Sequence, residues 1–284
     1  MQRILSTYRY VNQPLLPELL TSIASAGIPA IEVFCGSEHF GYESPRTVRE
    51  FRGCLDEYGL KLQSVHAPTE RGSGAGRSSG VPISISDPER IRRVDAIDEV
   101  KRALEIAETI PFNYLVQHMA SSRQAVDPRN LDAAFSSLEH LMLFAKQRGV
   151  TIAIENTPHE LGSPESLAEF VKQTRLNDLR FCFDIGHAHM SDSVAAGLEW
   201  MRDRIVTAHL HDNHGEKDEH LLPFDGTIDW DAALGALASA PESPAFVLEL
   251  KERAPGTPSL DQVRAAFDKL ERHLDEKGVR AART

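Results

Sequence analysis

The chain has 284 residues, 41% of them hydrophobic, which is enough to bury one large core. Its formal net charge of −11 argues against non-specific binding to nucleic acid or anionic membranes. The three cysteines are spread out without CxxC spacing, as is typical of a reducing compartment. The sequence shows neither the apolar region of a signal peptide nor a run of about 18 apolar residues, so we expect a cytoplasmic protein.

Short β-rich runs alternate with longer helical patterns along the chain. Strands are predicted at 3–6, 29–34, 62–66, 113–118, 150–155, 180–184, 205–210 and 245–250. Helices are predicted at 14–26, 45–58, 88–110, 128–148, 164–174, 191–202, 230–239 and 258–275. This order and length predict an α/β protein that forms a single-domain (β/α)8 TIM barrel over residues 1–284. An open doubly wound sheet is the alternative, but no GxGxxG follows the first strand to support its nucleotide-binding form.

The two longest helical patterns carry start signals. Asp87 and Asp127 are predicted N-caps, and each precedes a proline at the first helical position. The predicted core-facing stripes are Ile91, Val94, Ile97, Val100 and Leu104 in the first helix and Leu131, Phe135, Leu138 and Met142 in the second. Gly149 is a predicted helix stop. The segment 67–87, which contains the biased run ERGSGAGRSSG, is predicted to be a mobile loop within the barrel.

Six consecutive predicted strands end in a side chain that can bind a metal ion. These side chains are His66, His118, Glu155, Asp184 (with His187 three residues later), His209 and Glu249. In a TIM barrel such strand ends converge on one mouth. Each residue alone has a structural explanation, but so many buried carboxylates at one mouth indicate a cation. No cysteine joins the predicted set, and its nitrogen and oxygen donors suit zinc, manganese, cobalt, iron or magnesium.

The stretch HLHDNHGEKDEH, which begins at His209, concentrates further groups of this kind. His209 is the predicted ligand, and His211 is predicted to contact another ligand or the substrate. Asp218 and His220 form an Asp-x-His pair that is able to hold another cation. For Glu32, within the second strand, we expect a structural role.

Three segments resemble motifs of the xylose isomerase-like barrels. They are IENTP at 154–158, FDIGHAH at 183–189, and HLHDN followed by DEHLLPFDGTIDW. This superfamily includes sugar-phosphate isomerases and epimerases, and also the zinc-dependent AP endonucleases of the endonuclease IV type. The resemblance implies a metal site of Glu155, Asp184, His209 and Glu249, in which the two glutamates are also the catalytic acid/base pair.

The function that the resemblance implies is a metal-dependent isomerase or epimerase of a small sugar, sugar phosphate or related ketone. The metal would stabilise an enediolate while the two glutamates transfer protons. His66, His118 and His187 would be substrate contacts or additional ligands. The resemblance also implies one to three metal ions per chain, a small carbohydrate substrate and a possible homo-oligomer. A dehydratase that uses the same chemistry remains an open alternative.

An AP endonuclease-like phosphodiesterase is the alternative enzyme, since its pattern has nine ligands around three zinc ions. The sequence has a candidate for each position: His66, His118, Glu155, Asp184, His209, Glu249, His187, Asp218 and His220. Against it, His118 is followed by Met-Ala instead of Pro-Gly, and Pro223-Phe224-Asp225-Gly226 stands in place of Pro-Gly-x-Gly. The acidic charge also makes a nucleic-acid partner unfavourable. A non-catalytic sugar-binding metal barrel is the third possibility.

Overall fold

The computed structural model describes residues 1–36, 38–72, 80–252 and 256–276. Eight parallel strands close into a barrel in the order β1-β10-β9-β8-β7-β6-β3-β2. The closed barrel confirms the predicted fold and rules out the open sheet. Its strands are β1 Ile4–Ser6, β2 Ala30–Phe34, β3 Lys61–His66, β6 Tyr114–His118, β7 Thr151–Glu155, β8 Arg180–Asp184, β9 Ile205–Leu210 and β10 Ala245–Leu248.

Helices surround the barrel and pack their apolar sides against the strands. They are α1 Pro17–Ser25, α2 Pro45–Tyr58, α3 Arg90–Glu105, α4 Asn130–Lys146, α5 Pro164–Thr174, α6 Ile185–Ser191, α7 Val194–Met201, α8 Trp230–Ala238 and α9 Leu260–Glu276. The start of α2 has the expected helix-capping residues. The Ser44 side chain accepts a hydrogen bond from the amide of Thr47, and Pro45 occupies the first helical position. Gly59 ends it in the left-handed region at φ 67°.

The predicted starts of the third and fourth helices were wrong by two residues. Asp87 accepts from the amide of Glu89, and Asp127 accepts from the amide of Arg129. Each aspartate therefore closes an Asx turn around the following proline, and the helix begins only after this turn.

Part of the predicted apolar stripes was also wrong. Ile91 and Val94 are 80% and 44% exposed, and Leu131 is 43% exposed. The buried stripe of α3 begins at Ala96, and that of α4 begins at Asn130 and continues with Ala133, so the three exposed residues lie outside these stripes. The predicted stop at Gly149 has φ 70°, the left-handed conformation that such a stop requires.

The segment 67–87 contains a short antiparallel pair, β4 Glu70–Arg71 and β5 Val81–Pro82. Residues 73–79 lie outside the described part of the chain, so the mobility of this segment stays a prediction. Among the described helices, none is long and apolar enough to cross a membrane.

Candidate active site

The carboxyl ends of six neighbouring barrel strands bring the predicted ligand residues together at one mouth. Glu155, Asp184, His209 and Glu249 each offer a ligand atom, and these four atoms lie within 4.8 Å of one another. The four side chains are at most 5% exposed. We call this set the central cluster.

His209 presents its Nδ1 atom to the carboxylates of the central cluster. This nitrogen lies 3.3 Å from Glu155 Oε1, 3.6 Å from Glu249 Oε2 and 3.8 Å from Asp184 Oδ2. On the other side of the ring, Nε2 lies 3.0 Å from Oε1 of the buried Glu32. A proton on Nε2 beside Glu32 leaves the lone pair of Nδ1 free to bind a cation.

Glu155 is shared by two groups of ligands because its two oxygens face different neighbours. Its Oε2 lies 3.1 Å from Nε2 of both His66 and His118, and these three residues form a second group that could hold an ion. His66 donates from Nδ1 to the carbonyl of Ala67 at 2.8 Å, which turns its Nε2 toward Glu155. Against the effect of burial, the hydrogen bond to Glu155 raises the pKa of this ring, and binding of a cation at Nε2 would require loss of the proton there.

A third group joins His187, His211, Asp218 and His220, again within 4.8 Å. We call it the rim cluster. His220 Nε2 lies 3.0 Å from Asp218 Oδ2, and His187 Nε2 lies 3.6 Å from Asp218 Oδ1. Burial opposes ionisation of Asp218, but the nearby His187 and the hydrogen-bonded His220 outweigh it and hold the pKa of this carboxyl far below its usual value. The carboxylate therefore stays charged.

His211 lies behind the central cluster. Its ring is fully buried, with Nε2 3.0 Å from Asp184 Oδ2, and it stacks on His220 at 3.9 Å between ring centroids. This position agrees with the predicted contact to another ligand. The predicted alternative, a contact to the substrate, does not fit a side chain without exposure.

The short helix α6 was missed in the sequence, and it explains the FDIGHAH segment. Asp184 caps this helix by accepting from the amide of His187 at 2.6 Å, so one carboxylate both starts the helix and faces the central cluster. A Cβ at Gly186 would lie 2.1 Å from the His211 ring. Only glycine lets that ring reach Asp184.

The loop after β9 is held by Asp212, which the sequence did not indicate. Its fully buried carboxylate accepts from the amides of Phe224 and Ile228 and from Nε1 of Trp230, at 3.0, 3.2 and 2.7 Å. Phe224 has φ 76°, the left-handed region that favours glycine. Its ring packs on Trp230 at 5.4 Å and beneath the Lys269 ammonium at 4.0 Å, which offsets the strained backbone.

Cys182 lies next to the central cluster, although no cysteine was predicted to join the ligand set. It is fully buried in β8, and its sulfur groups with Glu155 and His209 as a possible ligand set. Burial, however, raises the pKa of this thiol strongly, which favours the neutral form. The thiol thus lies beneath the central cluster as an apolar neighbour.

A cleft of about 230 Å³ opens above these residues. It is lined by the site groups His66, His118, Glu155, His187, Asp218, His220 and Glu249, and also by Tyr8 and Phe34 near the start of the chain. Sequence reasoning missed Tyr8 and Phe34, because an aromatic residue after a strand is not distinguishable from a core residue by pattern. The ring of Phe34 stacks on His66 at 4.6 Å and so forms one wall of the cleft.

Known proteins share this architecture. The profile of a family described as xylose isomerase-like TIM barrel matches residues 20–282. The uncharacterized protein MJ1311 of Methanocaldococcus jannaschii is 31% identical over 229 residues, which cover 76% of this chain and 73% of that protein. A D-tagatose 3-epimerase-like protein has a TM-score of 0.79 at 25% identity, with 98% of each chain covered. The IOLI protein, solved with a bound zinc atom, shares the fold with a TM-score of 0.75 at 19% identity, covering 99% of this chain and 100% of that one.

Proposed function

Since the chain belongs to the family of xylose isomerase-like TIM barrels, we propose that it is a divalent-metal-dependent isomerase or epimerase of a small sugar, sugar phosphate or related ketone. The observation that carries this proposal is the pair Glu155 and Glu249. Glu155 ends β7 and Glu249 directly follows β10, and both border the same cleft and face the same nitrogen of His209. Sugar epimerisation needs two proton-transfer groups around one carbon, and this pair is placed to supply them.

The central cluster suits a divalent ion. Three carboxylates and one imidazole nitrogen match the donors that zinc and manganese accept in proteins, and Glu155, Asp184, His209 and Glu249 would hold the ion. The zinc atom in the IOLI structure supports this assignment. When bound, such an ion supplies Lewis-acid stabilisation of the negative charge that develops on the substrate oxygens.

The two glutamates differ in their affinity for protons. Burial raises the pKa of Glu249 above its ordinary value, and Glu155 adds to this shift, against the opposing effects of His209 and His220. Burial acts in the same sense on Glu155, but His209 and His118 outweigh it and bring the pKa well below the ordinary value. Environments that separate two carboxyl groups in this way mark an acid and a base. We assign Glu249 as the group that takes the proton next to the carbonyl, and Glu155 as its partner.

The test is proton exchange at carbon. The manganese-loaded protein is incubated in D₂O with ketoses, inososes and their phosphates, and NMR follows new isomers and deuterium at the carbon next to the carbonyl. We expect both, and we expect both to disappear with a chelator and in Glu249→Gln. If no substrate of this panel shows an isomer or deuterium incorporation, the proposal is wrong.

One observation favours a second candidate, a metal-dependent phosphodiesterase. The rim cluster adds His187, Asp218 and His220 to the other two groups, so three sets of ligands border one cleft. Adjacent metal ions are the usual device for attack on a phosphodiester. The described lining residues include no lysine or arginine to contact a nucleic-acid backbone, which favours the isomerase. Cleavage of an abasic duplex distinguishes the two.

A further inference from the structure

The cleft is lined by further polar residues besides the three ligand groups. They include Thr69, Ser121 and Ser122, whose side chains carry hydroxyls, and the acid Glu70. Among the lining residues that the structure describes, none is a lysine or an arginine. A substrate that reaches outward from the central cluster therefore meets neutral hydroxyls and a negative charge.

Glu70 is fixed in place in this lining. Its Oε1 accepts from Arg123 at 2.8 Å, and its Oε2 accepts from the amide of Gly80 at 3.3 Å. Glu70 lines the cleft, whereas Arg123 does not and its side chain is 58% exposed. Glu70 thus borders the cleft as the acidic half of an ion pair whose arginine is not among the lining residues.

Arg71, the arginine of β4, is also paired with acids. Arg71 lies 3.3 Å from Glu99 through Nε and donates to the carbonyl of Asp95 at 3.0 Å. Phosphate sites in proteins are commonly built from arginine forks, which must be free to face the ligand. Neither Arg71 nor Arg123 meets that condition in this structure.

We propose that the cleft accepts an uncharged polyhydroxy compound of monosaccharide size and rejects its phosphate ester, with Glu70 as a specificity-determining residue. The inference rests on the proposed function and narrows its substrate class. The volume of about 230 Å³ supports the size limit, because it lies below the roughly 300–1,000 Å³ of most ligand pockets. The serine and threonine hydroxyls supply both donors and acceptors, as sugar hydroxyls require.

Binding is measured separately from turnover. The substrate selectivity inferred for the cleft and the proposed isomerase function can then be rejected independently of each other. Calorimetry on the manganese-loaded protein compares a hexitol with its 6-phosphate. We expect the hexitol to bind at least about tenfold more tightly, since juxtaposed like charges are strongly unfavourable. In Glu70→Gln the amide keeps the contact to Gly80 without the charge, so this difference should shrink several-fold. Glu105→Gln, an exposed acid at the far end of α3, should leave it unchanged.

The variant Arg123→Gln tests the opposite possibility, that the cleft binds the phosphate ester through Arg123. If Arg123 turned inward to hold a phosphate, the variant would bind the hexitol phosphate more weakly than the wild type. We expect no such loss. Tighter binding of the phosphate by the wild type, loss of its binding in Arg123→Gln, or absence of hexitol binding would each overturn the inference. If the protein binds the hexitol more tightly than its phosphate but isomerises no substrate, the inference about the cleft is supported and the proposed isomerase function is wrong.

Discussion

Glu32 lies directly beneath His209, with 3.0 Å between the carboxylate Oε1 and the ring Nε2. Both side chains are fully buried, and the other oxygen of Glu32 accepts from Ser64 at 2.7 Å. Burial opposes the charge on Glu32, yet His209, His66 and the Ser64 hydroxyl outweigh it and lower the pKa of the carboxyl. A charged carboxylate behind the ring favours a proton on Nε2 and so leaves Nδ1 for the central cluster.

Glu32→Gln should therefore weaken metal binding although Glu32 is not an assigned ligand. The amide keeps an oxygen near the ring but loses the charge, and such partners are typically worth about 10–100-fold in metal affinity. Competition against a chelator measures this. Ser64→Ala, which removes only the bond to the opposite oxygen, should have the smaller effect. Equal affinity in Glu32→Gln and the wild type would show that the ring orients without Glu32.

Glu249→Gln tests the catalytic assignment. The amide keeps the shape and one possible oxygen ligand, but it cannot take up a proton, so turnover should fall by about 10²–10⁴-fold. Metal affinity should fall less than in His209→Ala, which removes the nitrogen at the centre of the cluster. Turnover and metal content are measured on the same samples. Turnover near the wild-type value with metal bound would exclude Glu249 from proton transfer.

Gly186→Ala tests the packing behind Asp184. The added methyl group would lie 2.1 Å from the His211 ring, so the ring must leave Asp184 or the helix must shift. We expect a loss of about 1–3 kcal/mol in the free energy of unfolding, measured by denaturant titration. The control is Gly235→Ala in α8, where no atom lies within 4 Å of the new Cβ. That variant should gain up to about 1 kcal/mol from helix propensity.

The rim cluster provides the test between the two enzymes. Asp218→Asn combined with His220→Asn removes its carboxylate and one imidazole, and asparagine tolerates the left-handed φ of 48° at position 220. We predict that no catalytically required metal is lost and that the unmodified protein does not cleave an abasic duplex in zinc or manganese. Elemental analysis and an incision assay check this. Incision by the wild type that disappears in the double variant would favour the phosphodiesterase.

Stability should depend on pH in opposite ways with and without metal. Burial lowers the pKa of His187, but Asp184, Asp218 and Glu155 outweigh it and raise the value well above the ordinary one. A histidine pKa raised by folding adds stability below the unfolded value of about 6.5, and this is lost as pH rises through the folded value. His118, whose burial lowers its pKa, opposes this only in part.

The chelated protein should thus show a Tm that falls as the pH is raised above about 6.5. Metal ions compete with protons for the same ligands, so metal-dependent stabilisation should increase over that range. Thermal unfolding from pH 6 to 9, with chelator or with manganese, measures both trends. A flat Tm in the chelated protein would contradict the raised pKa values of both His187 and His209.

The residues at the strand ends could be found from the sequence because each follows a recognisable β-rich run. His66, His118, Glu155 and Asp184 are all the last residues of their strands in the structure. Strand alternation and barrel closure then place them at one mouth without knowledge of any contact.

The residues that were missed depend on relationships between distant segments. Asp212 reads as a turn residue, and only the return of the chain to Trp230 shows that its carboxylate holds the loop. The contact of Glu32 with His209 follows from barrel geometry, although a charged residue inside the apolar run AIEVF was a signal for it. Ile91 was predicted to be buried but is exposed. The periodicity of the sequence does not specify which turn of α3 is the first to pack against the barrel.

Because Asp212 anchors the loop after β9, residues at the tip of this loop can be substituted, in evolution or in the laboratory, without changing its path. The carboxylate binds two main-chain amides and one indole, so the path of the loop does not depend on the side chains at its tip. Glu216 and Lys217 are exposed at this tip, directly before Asp218 in the sequence. Lys217→Cys would therefore give a chemical attachment point for a fluorophore next to the mouth, through which occupancy of the cleft can be followed in real time.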